Sequence, residues 1–155
     1  MKVEYINPFI EASQSVIKML CGVDVKIGKA YLRKSPFSVN QVIIMIGVVG
    51  KIKGQVCFEL SVETAKEIAS AMMGGIPLAE LDEISKSAVS EMGNMIMGNT
   101  STIFANKSMH IDITPPSLLT AERIEMSNKI PTIVVPLELK GFGTIEIIVA
   151  AEEVT

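Results

Sequence analysis

Ser87, Glu91, Asn94 and Gly98 recur at intervals of three and four residues. At about 100° per residue they fall within roughly 60° of one another if the segment is helical. That spacing sets one carboxylate and one carboxamide side by side, facing solvent. A carboxamide carries a donor and two acceptor lone pairs, so Asn94 is equipped to orient a water molecule. Glycine on the same face is unusual, because in an exposed helix interior it costs about 1 kcal/mol relative to alanine. A small residue there lets another surface come close. Glu and Asn are also what any solvated helix face displays, so spacing alone leaves both readings open.

Other catalytic patterns are missing from the sequence. Gly50-Lys51 is followed by Ile52 with no earlier glycine at P-loop spacing, and GxSxG, HExxH and GxGxxG are absent. His110 is the one histidine, so a histidine-based triad would rest on it alone. Cys21 and Cys57 form no CxxC pair, and with a single histidine a Cys/His zinc site cannot be assembled within one subunit. Both cysteines are expected in the core of a protein from a reducing, cytosolic setting. Asn99-Thr100-Ser101 and Asn106-Lys107-Ser108 match the glycosylation pattern, which has no meaning without a secretory signal, and the polar start Met1 to Asn7 lacks one.

The elements that must carry these residues follow from local signals. With 155 residues, 48% of them hydrophobic and 20% charged, residues 1–155 are expected to form a single domain with its own core. A net charge of −3 without a lysine or arginine run argues against a nucleic-acid groove or an anionic membrane surface. The most apolar run, Val42 to Val49, falls far below the ~18 residues a membrane span needs. Asn7-Pro8 predicts the start of a first helix, with Phe9, Val16, Ile17 and Leu20 on its apolar side and Gly22 at its end. Strands are expected at Phe37 to Val49 and Gln55 to Leu60, joined through Gly50 to Gly54.

Ser61 is placed to cap a second helix to about Met73, ahead of Gly74-Gly75. A long helix is predicted from near Asp82 to about Ala105, with Ala88, Met92, Met95, Ile96, Asn99 and Ile103 on its core side. Met72, Met73, Met92 and Met95 are read as gap-filling core. Further strands are expected at His110 to Ile113, Pro131 to Leu139 and Thr144 to Ala150. The order describes an α+β fold, a largely antiparallel sheet packed with long helices, built from two pseudo-repeated helix-plus-hairpin units.

Ser87-Ala88-Val89-Ser90-Glu91-Met92-Gly93-Asn94 resembles the S/D-x-x-x-E-x-x-N motif of the CheC, CheX and FliY family of bacterial chemotaxis phosphatases. Asn94 to Asn99, Asp112-Ile113-Thr114-Pro115-Pro116, Gly54-Gln55-Val56 and Ala65 to Gly74 are also similar to that family, so the resemblance covers nearly the whole chain. CheC-type members carry the motif on both long helices. Here the first helix has Asn7, Glu11 and Gln14, with glutamine in place of asparagine, and Lys18 where the intact motif has Gly98. A single intact motif is most similar to the CheX branch, for which the family pattern implies a homodimer with a continuous sheet.

The resemblance implies a cytoplasmic enzyme that dephosphorylates the aspartyl-phosphate of a CheY-like response regulator. Asn94 would orient water for in-line attack, and Glu91 would pair with the regulator's lysine near the phosphoryl group. Ser87 and Gly98 would contact the partner. It implies no cofactor of the chain's own, the Mg²⁺ being supplied in the regulator's site; the longer Gln14 and the bulky Lys18 predict that the first helix is inert. Two rivals remain at this point: a non-catalytic CheC-like binding module of the rotor-switch or adaptor kind, and a small-molecule sensor with an apolar pocket beneath the methionine-rich helices.

Overall fold

The computed structural model describes residues 2–155. Helix α1 runs Val3–Cys21, followed by the strands β1 Val25–Ile27, β2 Tyr31–Arg33, β3 Phe37–Val39, β4 Val42–Gly50 and β5 Ile52–Leu60. Helices α2 Val62–Met72 and α3 Glu83–Asn106 come next. The chain closes with β6 Ile111–Ile113, β7 Ser117–Thr120, β8 Ile124–Met126, β9 Thr132–Leu139 and β10 Gly143–Glu153. Among the described residues, eight strands form one antiparallel sheet along the path β1-β9-β10-β5-β4-β6, with β2 also on β9 and β7 also on β4. β3 and β8 pair separately as a ribbon.

This pairing makes the internal repeat explicit. One unit is α1 followed by β1 to β5, and the other is α3 followed by β6 to β10. In each unit the two short strands after the helix pair with the first hairpin strand of the other unit: β1 and β2 with β9, β6 and β7 with β4. The two hairpins meet through β5 and β10, where Cys57 stands opposite Ile148. Each unit therefore needs the other to complete its sheet, which is why neither hairpin has to be stable alone.

Local signals account for most helix ends. Ser61 Oγ accepts from the Thr64 backbone N–H at 3.1 Å, and Asp82 Oδ1 accepts from that of Ser85 at 2.9 Å. Gly22 ends α1 in the left-handed conformation at φ 68, the geometry glycine adopts without a Cβ penalty. The start of α1 corrects the expectation. Asn7 is not its cap; the helix begins at Val3, and Pro8 lies inside it. Tyr5 and Ile6 extend the buried stripe, and the Tyr5 hydroxyl donates to Glu153 Oε1 at 2.6 Å, so tertiary contacts outweigh the backbone bond that proline forgoes.

The strands need correction too. Phe37 to Val49 is not one strand but β3 and β4, separated at Asn40-Gln41, because β3 turns away to pair with β8. The short strands β1, β2, β7 and β8 span only three or four residues each and exist through pairing. The main core lies between the sheet and the helices, with Phe9, Val16, Ile17, Ile44, Phe58, Met92 and Ile96 fully covered. On the opposite face, Ile43, Cys57, Val134 and Ile148 lie under the β3–β8 ribbon. There Arg33 bridges Glu59 at 2.9 Å and Glu146 at 2.7 Å, neutralising two carboxylates that face each other across β5 and β10.

Candidate functional site

α3 is fixed in rotation by what it buries. Val89, Met92, Gly93, Ile96, Met97 and Phe104 point inward. Phe104 stacks on Tyr5 with ring centroids 6.4 Å apart and meets Phe9 edge-on at 5.9 Å, which locks α3 to α1. Gly93 lets the helix settle on the sheet: a Cβ there would stand 3.0 Å from Ile44 Cγ2. Near its end, Ser101 Oγ donates to the Ile111 carbonyl at 3.1 Å, tying the helix to β6.

The inward stripe is rotated slightly from the one the spacing predicts. Met92 and Ile96 are buried as expected, but Ala88, Met95 and Ile103 are only half-buried and Asn99 is exposed. Gly93 and Met97 take the inward positions, because the helix must face both α1 and the sheet. Met72 and Met73 are half-buried against the core, as Met95 is.

The rotation leaves the four motif residues outward on one side. Ser87 and Glu91 are exposed, and Asn94 and Gly98 are half-buried. Among the described residues, neither the Glu91 carboxylate nor the Asn94 carboxamide has a hydrogen-bond partner within the chain. Their polar atoms are therefore available to water or to a partner. Gly98 has open space over it, with no heavy atom within 4 Å of an added Cβ. Its carbonyl accepts from Thr102 Oγ1 at 3.2 Å. Beside the motif runs a shallow groove between Ser87, Ser90 and Glu91 of α3 and Pro116 and Leu118 at the start of β7.

On α1 the equivalent residues stand differently. The buried positions Phe9, Ala12, Ser13, Val16 and Ile17 correspond in register to Val89, Met92, Gly93, Ile96 and Met97, so Glu11 and Gln14 occupy the places of Glu91 and Asn94. Both are exposed, but Gln14 Nε2 reaches the Val25 carbonyl at 3.5 Å. Lys18, at the place of Gly98, is ion-paired with Asp24 at 2.9 Å. That bond raises the Lys18 ammonium above its ordinary value and lowers the Asp24 carboxyl.

Other reactive groups are accounted for by packing. Burial pushes the Cys57 thiol up to about 12 and the half-buried Cys21 thiol up to about 11, so both are protonated near neutral pH. His110 is exposed and lies 3.1 Å from Asp112. Among the described residues, no group of three or more His, Cys, Asp or Glu side chains is placed to hold a metal ion. No described helix is long and apolar enough to cross a membrane.

Comparison with known proteins bears directly on this helix. The family model described as chemotaxis phosphatase CheX matches residues 42–138, which include all of α3. The chain is 30% identical over 145 residues to the CheY-P phosphatase CheX of Thermotoga maritima, spanning 94% of this chain and 85% of that protein. It superposes on a solved CheX-CheY-BeF3-Mg²⁺ complex from Borrelia burgdorferi with a TM-score of 0.81 at 30% identity, covering 98% of this chain and 100% of that one. A CheC-like superfamily protein from Shewanella matches with a TM-score of 0.87 at 26% identity, covering 98% and 99%.

Proposed function

The chain belongs to the CheX family of chemotaxis phosphatases, and from that premise we propose that it hydrolyses the aspartyl-phosphate of a CheY-like response regulator with Glu91 and Asn94 of α3. The observation that carries this reading is the pair of unpartnered polar side chains held outward on a helix whose rotation is fixed by Phe104 and Gly93. An acyl phosphate is already a reactive bond. Its hydrolysis needs a water held in line and charge stabilised as the bond to the leaving carboxylate lengthens.

Each part of the site then has a task. The Asn94 carboxamide accepts from and donates to the attacking water, setting it on the phosphorus side opposite the leaving aspartate oxygen. The phosphoryl group passes to that water, and the aspartate carboxylate is regenerated on the regulator. Glu91 pairs with the regulator's lysine beside the phosphoryl group and fixes the register of docking. Ser87 meets the partner's surface one turn earlier, and the space over Gly98 admits it. Mg²⁺ enters with the regulator, in whose site it neutralises the phosphoryl oxygens.

Residues 1–155 work as one cytoplasmic domain and pair as a homodimer in this reading. Support for pairing comes from β2 and β7, each hydrogen-bonded to a neighbour on one side, with outer edges that can accept a further strand. Sedimentation at micromolar concentration tests it: a monomer overturns the dimer. The function is tested by phosphorylating CheY-like receiver domains individually and timing phosphate release with and without this protein. Faster release from at least one receiver is expected. Co-elution without faster release would mean a binding module instead.

A further inference from the structure

Gly93 stands between the two residues that the phosphatase reading assigns to the reaction, and it points the other way. It is buried against the sheet, while Glu91 and Asn94 face outward. Glycine is a poor choice for a helix interior, since it loses more conformational freedom on folding than any other residue. Alanine would serve the helix better unless its methyl group had no room. The room is missing: a Cβ at Gly93 would stand 3.0 Å from Ile44 Cγ2, 3.5 Å from Ile44 Cδ1 and 3.6 Å from Phe58 Cδ2.

Ile44 is not free to step aside. It lies fully buried on β4, opposite Phe58 of β5 on one side and Leu118 of β7 on the other. Its β-branched side chain is stiff about χ1, so the Cγ2 methyl moves only with the strand. An added methyl group therefore lifts α3 by about half an ångström, the shift that restores an ordinary carbon contact of about 3.5 Å. The internal repeat does not itself demand such closeness. At the same register position α1 carries Ser13, fully buried, whose Oγ donates to the Phe9 carbonyl at 2.6 Å. A side chain is accommodated beneath the helix that lacks the intact motif, and none lies beneath the helix that has it.

We propose that Gly93 is a positioning residue for the dephosphorylation: seated on Ile44, it sets the height of α3 above the sheet and with it the point at which the Asn94 carboxamide holds water. This rests on the phosphatase reading above and adds to it the contact that places Asn94. Asn94 follows Gly93 directly and has a short side chain, so a backbone shift passes to its carboxamide nearly undiminished. Glu91 has a longer side chain and addresses a flexible ammonium group, a looser target. Turnover should therefore register the shift more than docking does. A misplacement of about 1 Å can cost on the order of 100-fold, so half that distance corresponds to about tenfold.

Dephosphorylation rates over a range of receiver concentrations, taken below the melting transition of each variant, test the seat. Gly93→Ala is expected to lower turnover about tenfold while KM stays within about threefold of wild type. Gly93→Ala with Ile44→Ala, which removes Cγ2, should recover turnover to within about threefold of wild type although it melts lower. Activity regained as stability falls is what a merely structural role cannot give. Gly93→Ala with Ile44→Val keeps Cγ2 and should stay slow, and Ser13→Ala on α1 should leave both constants unchanged. Wild-type turnover in folded Gly93→Ala, or a KM that rises while turnover holds, overturns the proposal and leaves the phosphatase reading standing. So does a Gly93→Ala/Ile44→Ala protein as slow as Asn94→Ala, which decides the matter if Gly93→Ala alone does not fold. A wild type that accelerates no receiver overturns both.

Discussion

Replacing Gly98 separates stability from function because the two should move in opposite directions. The position is helical, and an added Cβ meets nothing within 4 Å, so alanine fits without strain. Removing the conformational cost of glycine should stabilise the fold by about 1 kcal/mol, raising Tm by about 2–4 °C for a chain of this length. If the space is kept for the regulator, the new methyl group intrudes on a packed contact. Overpacking of that kind costs about 1–3 kcal/mol, and 1.4 kcal/mol corresponds to about tenfold in docking. Gly98→Ala should therefore melt higher and dephosphorylate about tenfold more slowly at subsaturating receiver, with Gly98→Leu slower still. Calorimetry and a phosphate-release assay on the same preparations give both readouts. Variants that are more stable and fully active would refute the reasoning, and so would loss of stability.

Further expectations follow from the same geometry. Glu11→Ala with Gln14→Ala should leave dephosphorylation within about twofold of wild type, because the extra methylene moves the amide by about 1 Å and Lys18 obstructs approach. Glu91→Ala with Asn94→Ala should abolish it, and activity surviving there but lost when all four are replaced would reveal a second site. Association measured by stopped flow should slow as salt is raised, since a carboxylate meeting a lysine is screened over about 10 Å at 0.1 M ionic strength. Asp82 is held below its usual value by the Ser85 backbone N–H and hydroxyl, so its contribution is present above the unfolded pKa and lost as pH falls through the lower folded one. Asp82→Asn keeps the cap without the titration, and urea midpoints should show wild type losing stability faster than this variant below about pH 4.

The features that depend on neighbouring residues were legible in the sequence. Ser61, Asp82 and Gly22 mark helix ends through contacts a few residues away. The outward side of α3 follows from helical spacing, so Ser87, Glu91, Asn94 and Gly98 share a face as their numbers predict. What was not legible depends on distant partners. Tyr5 and Ile6 draw α1 back past Asn7-Pro8 because they meet residues far along the chain. β1, β2, β7 and β8 are too short for periodicity and are held by the opposite unit. Gly93 turns inward because Ile44 lies beneath it, which displaces Asn99 to solvent. The tasks given to Glu91 and Asn94 came from family resemblance and not from spacing.

The most direct test is a single-turnover measurement with Asn94→Ala. A receiver carrying aspartyl-phosphate and Mg²⁺ is mixed with excess wild-type or variant protein, and decay of the phosphoryl group is followed while binding is titrated separately. If Asn94 positions the water, decay in the bound complex should slow about 100-fold, equivalent to about 2.7 kcal/mol of barrier, with affinity within a few-fold of wild type. Decay at the wild-type rate in a saturated Asn94→Ala complex would contradict the assignment of the site.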